Sequence, residues 1–294
     1  MTHYSSPFFE MTPREEWNLP SRHIGRRVQV FDQLDSTSTR VAQMADDPRH
    51  HGTVILAGEQ TAGRGQHGRS WQAPPGRAVL MSVLLFPPPI LRRPALLTAW
   101  AAVSVCETIR EATGLQAKIK WPNDVLLQGR KVCGILIESK SRNSKSEDNG
   151  ATEITENDFS VPSVISASKD FAVVVGIGLN VNQSDEDFER AGLPEAGSLS
   201  RFTSRILDCF TLARLLIEQL DQEYDRMIQG DLVGLESCWK WHIGLLGKQV
   251  AVECPDGRHW GRLRELTFHE VVLENDGSST VRFTPETIQH IEQA

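Results

Sequence analysis

Cysteine is scarce and scattered in this chain. Its five residues, Cys106, Cys133, Cys209, Cys238 and Cys254, are odd in number, and no two share a C-x-x-C spacing. That pattern argues against a disulfide scaffold or a zinc cluster and leaves buried, reduced thiols as the expectation. No stretch approaches the ~20 continuous apolar residues that a membrane-spanning helix needs. Positive charge is in deficit: 31 Lys and Arg against 38 Asp and Glu give a net charge of −7. A general nucleic-acid binder is therefore not expected, because phosphate affinity comes from clustered Lys and Arg. The one local basic cluster, Arg22 to Arg27, reads as the solvated approach to a strand. Tyr4, Pro7, Glu10, Glu15 and Glu16 stand where a signal peptide would carry a basic start and an apolar run. The expected location is thus cytoplasmic, without a membrane partner. Internal repeats are absent as well.

What the chain does have is an ordinary globular composition, 39% apolar and 23% charged over 294 residues. That length suits a large domain plus a small one. Residues 1–26 show no periodicity and read as an arm. Strands are expected at 27–31, 53–57, 78–86, 117–120, 131–138 and 171–180. Pro94, favourable in a first turn, and Gly114, a good stop, bracket one helix; 212–228 forms a second amphipathic one. Asp35-Ser36-Thr37-Ser38 looks like a helix N-cap. Residues 140–169, rich in Ser, Asn, Asp, Glu and Lys, read as a mobile insertion. Beyond Gly247 short alternating strands are separated by Pro255-Asp256-Gly257 and Asn275-Asp276-Gly277 turns. They suggest a small all-β module over 247–294.

Three segments could carry chemistry. The first runs Gln60-Thr61-Ala62-Gly63-Arg64-Gly65-Gln66-His67-Gly68-Arg69-Ser70-Trp71. It satisfies G-x-G-x-x-G formally, but Pro74-Pro75-Gly76 and a strand follow where the dinucleotide fingerprint needs a helix. What survives is a loop whose glycines let backbone N–H groups approach a phosphate. Arg64 and Arg69 could pair with that phosphate and Trp71 could stack on a base. The alternative is a plain surface loop.

The second is Lys120-Trp121-Pro122-Asn123-Asp124 followed by Lys131 to Glu138. A turn at Gln128-Gly129-Arg130 would bring Lys131 near Asp124, either as a surface ion pair or as part of a site. Gly134 in mid-strand suggests a close approach by ligand or backbone. The third, Val175-Gly176-Ile177-Gly178-Leu179-Asn180, places two glycines in a buried strand, as a bulge or as a cradle.

Taken in order, these segments resemble the signatures of the biotin–protein ligase family, with Asp35-Ser36-Thr37 matching a fourth, weaker one. The resemblance spans roughly 27–290 and implies an α+β fold. That fold has a class II synthetase-like mixed sheet with flanking helices over 27–246 and a small C-terminal SH3-like β-barrel. It implies an enzyme that forms biotinyl-5'-AMP from biotin and ATP, then transfers biotin to a lysine of a biotin carboxyl carrier protein domain.

By the same resemblance, Ser36, Thr37, Ser38 and Gln60 meet the ureido end of biotin, and Gly134 and Leu136 line its pocket. Arg64, Arg69 and Lys131 face the carboxylate and the phosphates, with Gly63, Gly65 and Gln66 in the covering loop. Lys120, Trp71, Asn123 and Asn180 serve the nucleotide, and Mg2+ bridges phosphates. Asp124 orients the attacking amine or accepts its proton. A homodimer is allowed. DNA binding is not expected, since about 26 residues before the first strand are too few for the winged-helix domain some relatives carry. Where such loops usually have arginine this chain has Gln66. The competing readings are a lipoate–protein ligase, which shares the adenylation chemistry, and a non-catalytic biotin-responsive binder.

Overall fold

A computed structural model describes residues 12–141, 171–275 and 279–294. In chain order it contains β1 (Glu15–Trp17), β2 (Val28–Leu34), α1 (Thr37–Ala42), β3 (Val54–Gln60), β4 (Ala78–Leu85) and α2 (Pro94–Thr113). Then come β5 (Lys118–Lys120), β6 (Asp124–Leu127), β7 (Arg130–Ser141), β8 (Phe171–Asn180), α3 (Asp185–Arg190), α4 (Leu199–Thr203), α5 (Cys209–Ile228) and α6 (Leu232–Ile243). The chain closes with β9 (Gln249–Cys254), β10 (Gly257–Leu266), β11 (Val271–Glu274), β12 (Thr280–Phe283) and β13 (His290–Gln293). The insertion expected at 140–169 falls almost wholly outside the described residues, as do residues 1–11 of the expected arm.

Eight strands form one mixed sheet in the order β1-β2-β3-β4-β8-β7-β6-β5, with only β2 and β3 parallel. Its centre is β4, Ala78-Val79-Leu80-Met81-Ser82-Val83-Leu84-Leu85, buried along its whole length. Such a continuous run is what a strand covered on both faces requires. The alternation in β8 shows how the faces divide. Val173, Val175, Ile177 and Leu179 join the large core under the long helices, with Trp100 of α2 and Leu216 and Leu220 of α5. Ala172 and Val174 join the smaller core under α1, with Phe31, Val41 and Leu84. Gly176, Gly178 and Asn180 follow on that second face, where α1 stops short and leaves the sheet open.

Helix α2 starts at Pro94 and ends with Gly114 at φ 74°, whose N–H reaches Arg110 O at 2.8 Å. Only a residue tolerant of the left-handed region closes a helix this way without strain.

The segment read as an arm does more than expected. Residues Glu15–Trp17 add an edge strand, and Trp17 and Ile24 enter the core. The basic stretch is tied down as well as solvated. Buried Asp221 of α5 accepts the N–H groups of Arg22, His23 and Ile24 at 2.8, 2.7 and 2.8 Å. Three charge-assisted bonds satisfy the carboxylate inside the protein.

The last 46 or so residues form a five-stranded antiparallel sheet, β12-β11-β10-β9-β13, whose final strand has no counterpart in the sequence expectation. It leans on the large sheet through Trp121, whose Nε1 donates to Ile288 O at 3.0 Å. Trp239 continues the contact, 5.5 Å from the Trp121 ring and stacked on Phe268 at 5.0 Å. Helix α6, also not anticipated, carries Trp239 into this junction.

Candidate functional site

On the open face of the sheet lies a cavity of about 310 Å³. Its floor is made by absence of side chains. In β7 and β8 the register sets Gly134 opposite Gly178 and Leu136 opposite Gly176, without a bulge between these strands. The paired glycines are therefore a cradle. A Cβ on Gly178 would come within 2.4 Å of the Trp71 indole, and one on Gly134 within 2.9 Å of it. A Cβ on Gly176 would meet Ser38 Oγ at 3.0 Å.

One end of the cavity is polar and buried. Ser36 caps α1, accepting from Thr39 N at 3.4 Å, and the turn presents Thr37 and Ser38 at the cavity wall. Gln60, at the end of β3, accepts from Thr37 N at 2.7 Å and from Thr37 Oγ1 at 3.0 Å. Ser82 of β4 lies beneath both hydroxyls, 2.8 Å from Thr37 Oγ1 and 3.0 Å from Ser38 Oγ. Thr37, Ser38 and Ser82 are 3%, 5% and 0% exposed, so only a ligand inside the cavity can reach this cluster.

The other end is charged. The β6–β7 turn uses Gln128 and Gly129 at φ 48° and 83°, and it returns the chain so that Lys131 Nζ lies 2.6 Å from Asp124 Oδ1. Both side chains are partly exposed, so the pair faces the cavity mouth rather than a dry interior. Lys131 Nζ also stands 5.8 Å above the Trp71 ring. Asn123 donates from Nδ2 to Ile135 O at 2.7 Å and accepts from Ile135 N at 3.0 Å through its main-chain oxygen. It thereby pins β7 beside the start of β6, and it lines the cavity. Asn180 is buried, with Oδ1 accepting from Gln183 Nε2 at 2.7 Å.

Over the cavity folds the glycine-rich segment as a narrow hairpin. Gly65 N donates to Arg69 O at 2.7 Å and Trp71 N to Gly63 O at 2.9 Å. A Cβ on Gly63 would strike Trp71 O at 2.5 Å, so this crossing needs glycine. Arg64 Nη2 pairs with Glu138 Oε2 at 2.9 Å. Arg69 is exposed and lines the cavity with Gln66. The Trp71 indole lies across Gly178 and Gly134, and its buried Nε1 has no hydrogen-bond partner among the described residues.

Not every expected residue reaches the cavity. Lys120 is exposed on β5, where Ile119 points inward and its neighbours therefore point out, and it does not line the wall. Ser36 and Gly63 act through local backbone structure. Conversely, Phe188, Leu193 and Ala196 line the wall without having been singled out from the sequence. They sit on a segment begun by a Ser184–Asp187 capping box and held to β7 by Lys131 N to Glu195 O, 3.0 Å, and Gly197 N to Lys131 O, 2.9 Å. The capping box was readable in the sequence; the strand-like pairing with Lys131 was not. Ser82 was missed too, as one polar residue in an apolar run.

The described residues contain no group of three or more His, Cys, Asp or Glu suited to a metal ion. None of their helices is long and apolar enough to cross a membrane. Cys133 and Cys106 are buried, and burial pushes both thiols well up, as expected of inert core cysteines. The cavity thus offers hydroxyl and amide groups at one end, an apolar glycine floor with an indole lid between, and fixed cations at the other. Such a shape suits an elongated molecule with a hydrogen-bonding head, an apolar chain and an anionic tail.

Comparison with known proteins finds relatives over most of the chain. Residues 30–148 match the biotin/lipoate A/B protein ligase family. The chain is 28% identical over 257 residues to the bifunctional ligase/repressor BirA of Bacillus subtilis, covering 87% of this chain and 72% of that one. It is 28% identical to a biotin–[acetyl-CoA-carboxylase] ligase of Mycobacterium tuberculosis, covering 95% and 96%. A biotin protein ligase from Aquifex aeolicus, solved with biotin and ATP, shares the fold. It has a TM-score of 0.68 at 22% identity and covers 91% of this chain and 99% of its own.

Proposed function

From the match of residues 30–148 to the biotin/lipoate A/B protein ligase family and the similarity to biotin–[acetyl-CoA-carboxylase] ligases, we propose that the chain is a member of that family and an ATP-dependent biotin–protein ligase. The observation that carries the reading is the two-ended cavity, with its buried hydroxyl cluster at one end and Lys131 beside Asp124 at the other. In the first half-reaction the biotin carboxylate attacks the α-phosphate of ATP, giving biotinyl-5'-AMP and pyrophosphate. Two anions must be brought together, so cations held in place lower the barrier by positioning and charge stabilisation. Lys131, Arg64 and Arg69 take that role.

Thr37, Ser38 and Gln60 hold the ureido head, Gly134, Leu136 and Gly176 shape the chain's channel, and Trp71 closes over it. Phe188, Leu193 and Ala196, with Asn123 and Asn180, supply the wall for the nucleotide. Mg2+ would be held mainly by the ATP phosphates and would offset their charge, in keeping with its usual reliance on substrate oxygens and few protein carboxylates.

In the second half-reaction a lysine amine of a biotin carboxyl carrier protein domain attacks the adenylate carbonyl and AMP leaves. An ordinary lysine has a pKa of ~10.4 and is protonated at neutral pH. Asp124 accepts the surplus proton while Lys131 steadies the oxyanion. The hairpin 63–71 excludes water from the intermediate. Biotin-dependent exchange of pyrophosphate into ATP tests the first half-reaction directly, and its absence would refute the proposal. Exchange supported by lipoate in place of biotin would redirect it to the sister activity.

A further inference from the structure

We propose that Ser82, buried in β4 and not in the cavity wall, is a positioning residue that fixes which groups of the head pocket donate and which accept, and so selects a cyclic urea. The inference rests on the biotin reading above and deepens it.

Hydroxyl and amide protons can be counted through this cluster. Thr37 N can only donate, so the Gln60 atom it reaches at 2.7 Å must be the amide oxygen. That oxygen can only accept, so Thr37 Oγ1, 3.0 Å away, donates its single proton to it. With that proton used, the 2.8 Å contact between Thr37 Oγ1 and Ser82 Oγ requires Ser82 to be the donor. Ser82 now has no proton left, so the 3.0 Å contact with Ser38 Oγ requires Ser38 to donate. The chain of protons therefore runs one way, from Ser38 through Ser82 and Thr37 to Gln60.

Its consequence faces the cavity. Ser38 Oγ is left with lone pairs and no proton, and Gln60 Nε2 is left with N–H groups that no described residue accepts. Acceptor on one wall and donor on the other match the N–H and C=O of a urea. A dithiolane ring, with neither group, would leave buried Ser38 and half-buried Gln60 unsatisfied.

Position explains why serine does this. Ser82 is paired across the sheet with Gly176 on one side and Ile55 on the other, directly under α1, and is 0% exposed. It cannot touch ligand past Thr37 and Ser38, so it acts through them.

The test uses the full chain and ATP–pyrophosphate exchange. In Ser82→Ala the KM for biotin is expected to rise about three- to tenfold, the worth of one hydrogen bond. The KM for ATP, the turnover at saturating biotin and the binding of lipoate, which carries no urea, should stay put. Ser82→Thr, which keeps the hydroxyl, should recover most of the biotin affinity. Unchanged biotin KM in Ser82→Ala overturns the inference. So does a parallel fall in ATP affinity, turnover and melting temperature, which would make Ser82 merely structural. A wild type inert with biotin would fail the ligase reading itself and this inference with it, whereas an active wild type with an indifferent Ser82→Ala fails the inference alone.

Discussion

Gly178→Ala offers a perturbation in which stability and activity should move apart. The residue lies in a central strand, regularly paired to β4 and β7, with no positive φ. Alanine therefore fits the backbone, and reducing the freedom of the unfolded chain should add ~0.4–1 kcal/mol of stability. The new methyl, however, would stand 2.4 Å from Cε2 of Trp71 and 2.8 Å from its Nε1. Ordinary contact needs another ~1 Å, so the indole must lift off the cradle. Its hairpin is restrained by the Trp71–Gly63 and Gly65–Arg69 hydrogen bonds, 2.9 and 2.7 Å, and cannot follow freely. Overpacking of this kind costs ~1–3 kcal/mol. Since the strain is in the lid over the channel, it should appear as a loss of about 5- to 150-fold in kcat/KM for biotin. Thermal unfolding should shift by no more than a few degrees. Biotin-dependent pyrophosphate exchange and a melting curve on one preparation decide the matter. Exchange within twofold of wild type would show that Trp71 does not serve the channel, and the account of the cradle would be wrong.

Lys131→Ala should reduce pyrophosphate exchange by at least ~100-fold while leaving the melting curve nearly unchanged, because a partly exposed ion pair such as Lys131–Asp124 contributes only ~0–1 kcal/mol to folding. Gln66→Arg adds a cation to the loop. If it bonds the adenylate at ~1.5–3 kcal/mol, the intermediate should dissociate about ten- to a hundredfold more slowly in a chase experiment, and no slowing would place the loop's grip elsewhere. Stability should also depend on pH through His51, whose pKa burial, aided by nearby His23 and Arg26, lowers to about 4. Its Nδ1 accepts from Phe86 N at 3.0 Å, which a protonated ring could not do. Between pH ~6.5 and about 4 the unfolded chain binds the extra proton, so stability falls by up to ~3 kcal/mol as pH drops through that window. Urea unfolding at pH 7 and 5 checks this, and His51→Gln should flatten the slope. Trp121→Phe removes the bond to Ile288 O and should cost ~1 kcal/mol or more, seen as a lower denaturation midpoint.

Much of the fold was legible because its strong elements announce themselves. The apolar run ended by three prolines became β4, Pro94 and Gly114 bracket α2, and 171–180 is β8. Elements whose identity depends on partners were not legible. β1 and β13 are three and four residues long, with single buried anchors in Trp17 and Ile291, too short to show a period. The N-terminal stretch looks like an arm until Asp221, some 200 residues away, collects its N–H groups.

The site divides in the same way. The glycines, the loop arginines and the Lys131–Asp124 hairpin were readable because each violates a local preference or marks a turn. Ser82 hides inside an apolar strand and acquires meaning only when Thr37 and Ser38 are laid over it. Phe188 and Ala196 join the wall because the chain beyond β8 pairs back onto Lys131. Lys120 shows the opposite case, lying outside the cavity wall. Its place in a specific motif suggested a ligand contact, yet alternation with buried Ile119 already directed it outward.

The central claim is the transfer of biotin through an adenylate to a carrier lysine. The direct measurement incubates the full chain with ATP, Mg2+, biotin and a purified biotin carboxyl carrier protein domain, and follows the carrier by mass spectrometry. The account predicts one biotin on one lysine, dependent on ATP, lost when that lysine is replaced by arginine and lost with Lys131→Ala. A carrier left unmodified, or modified equally well by Lys131→Ala, would contradict it.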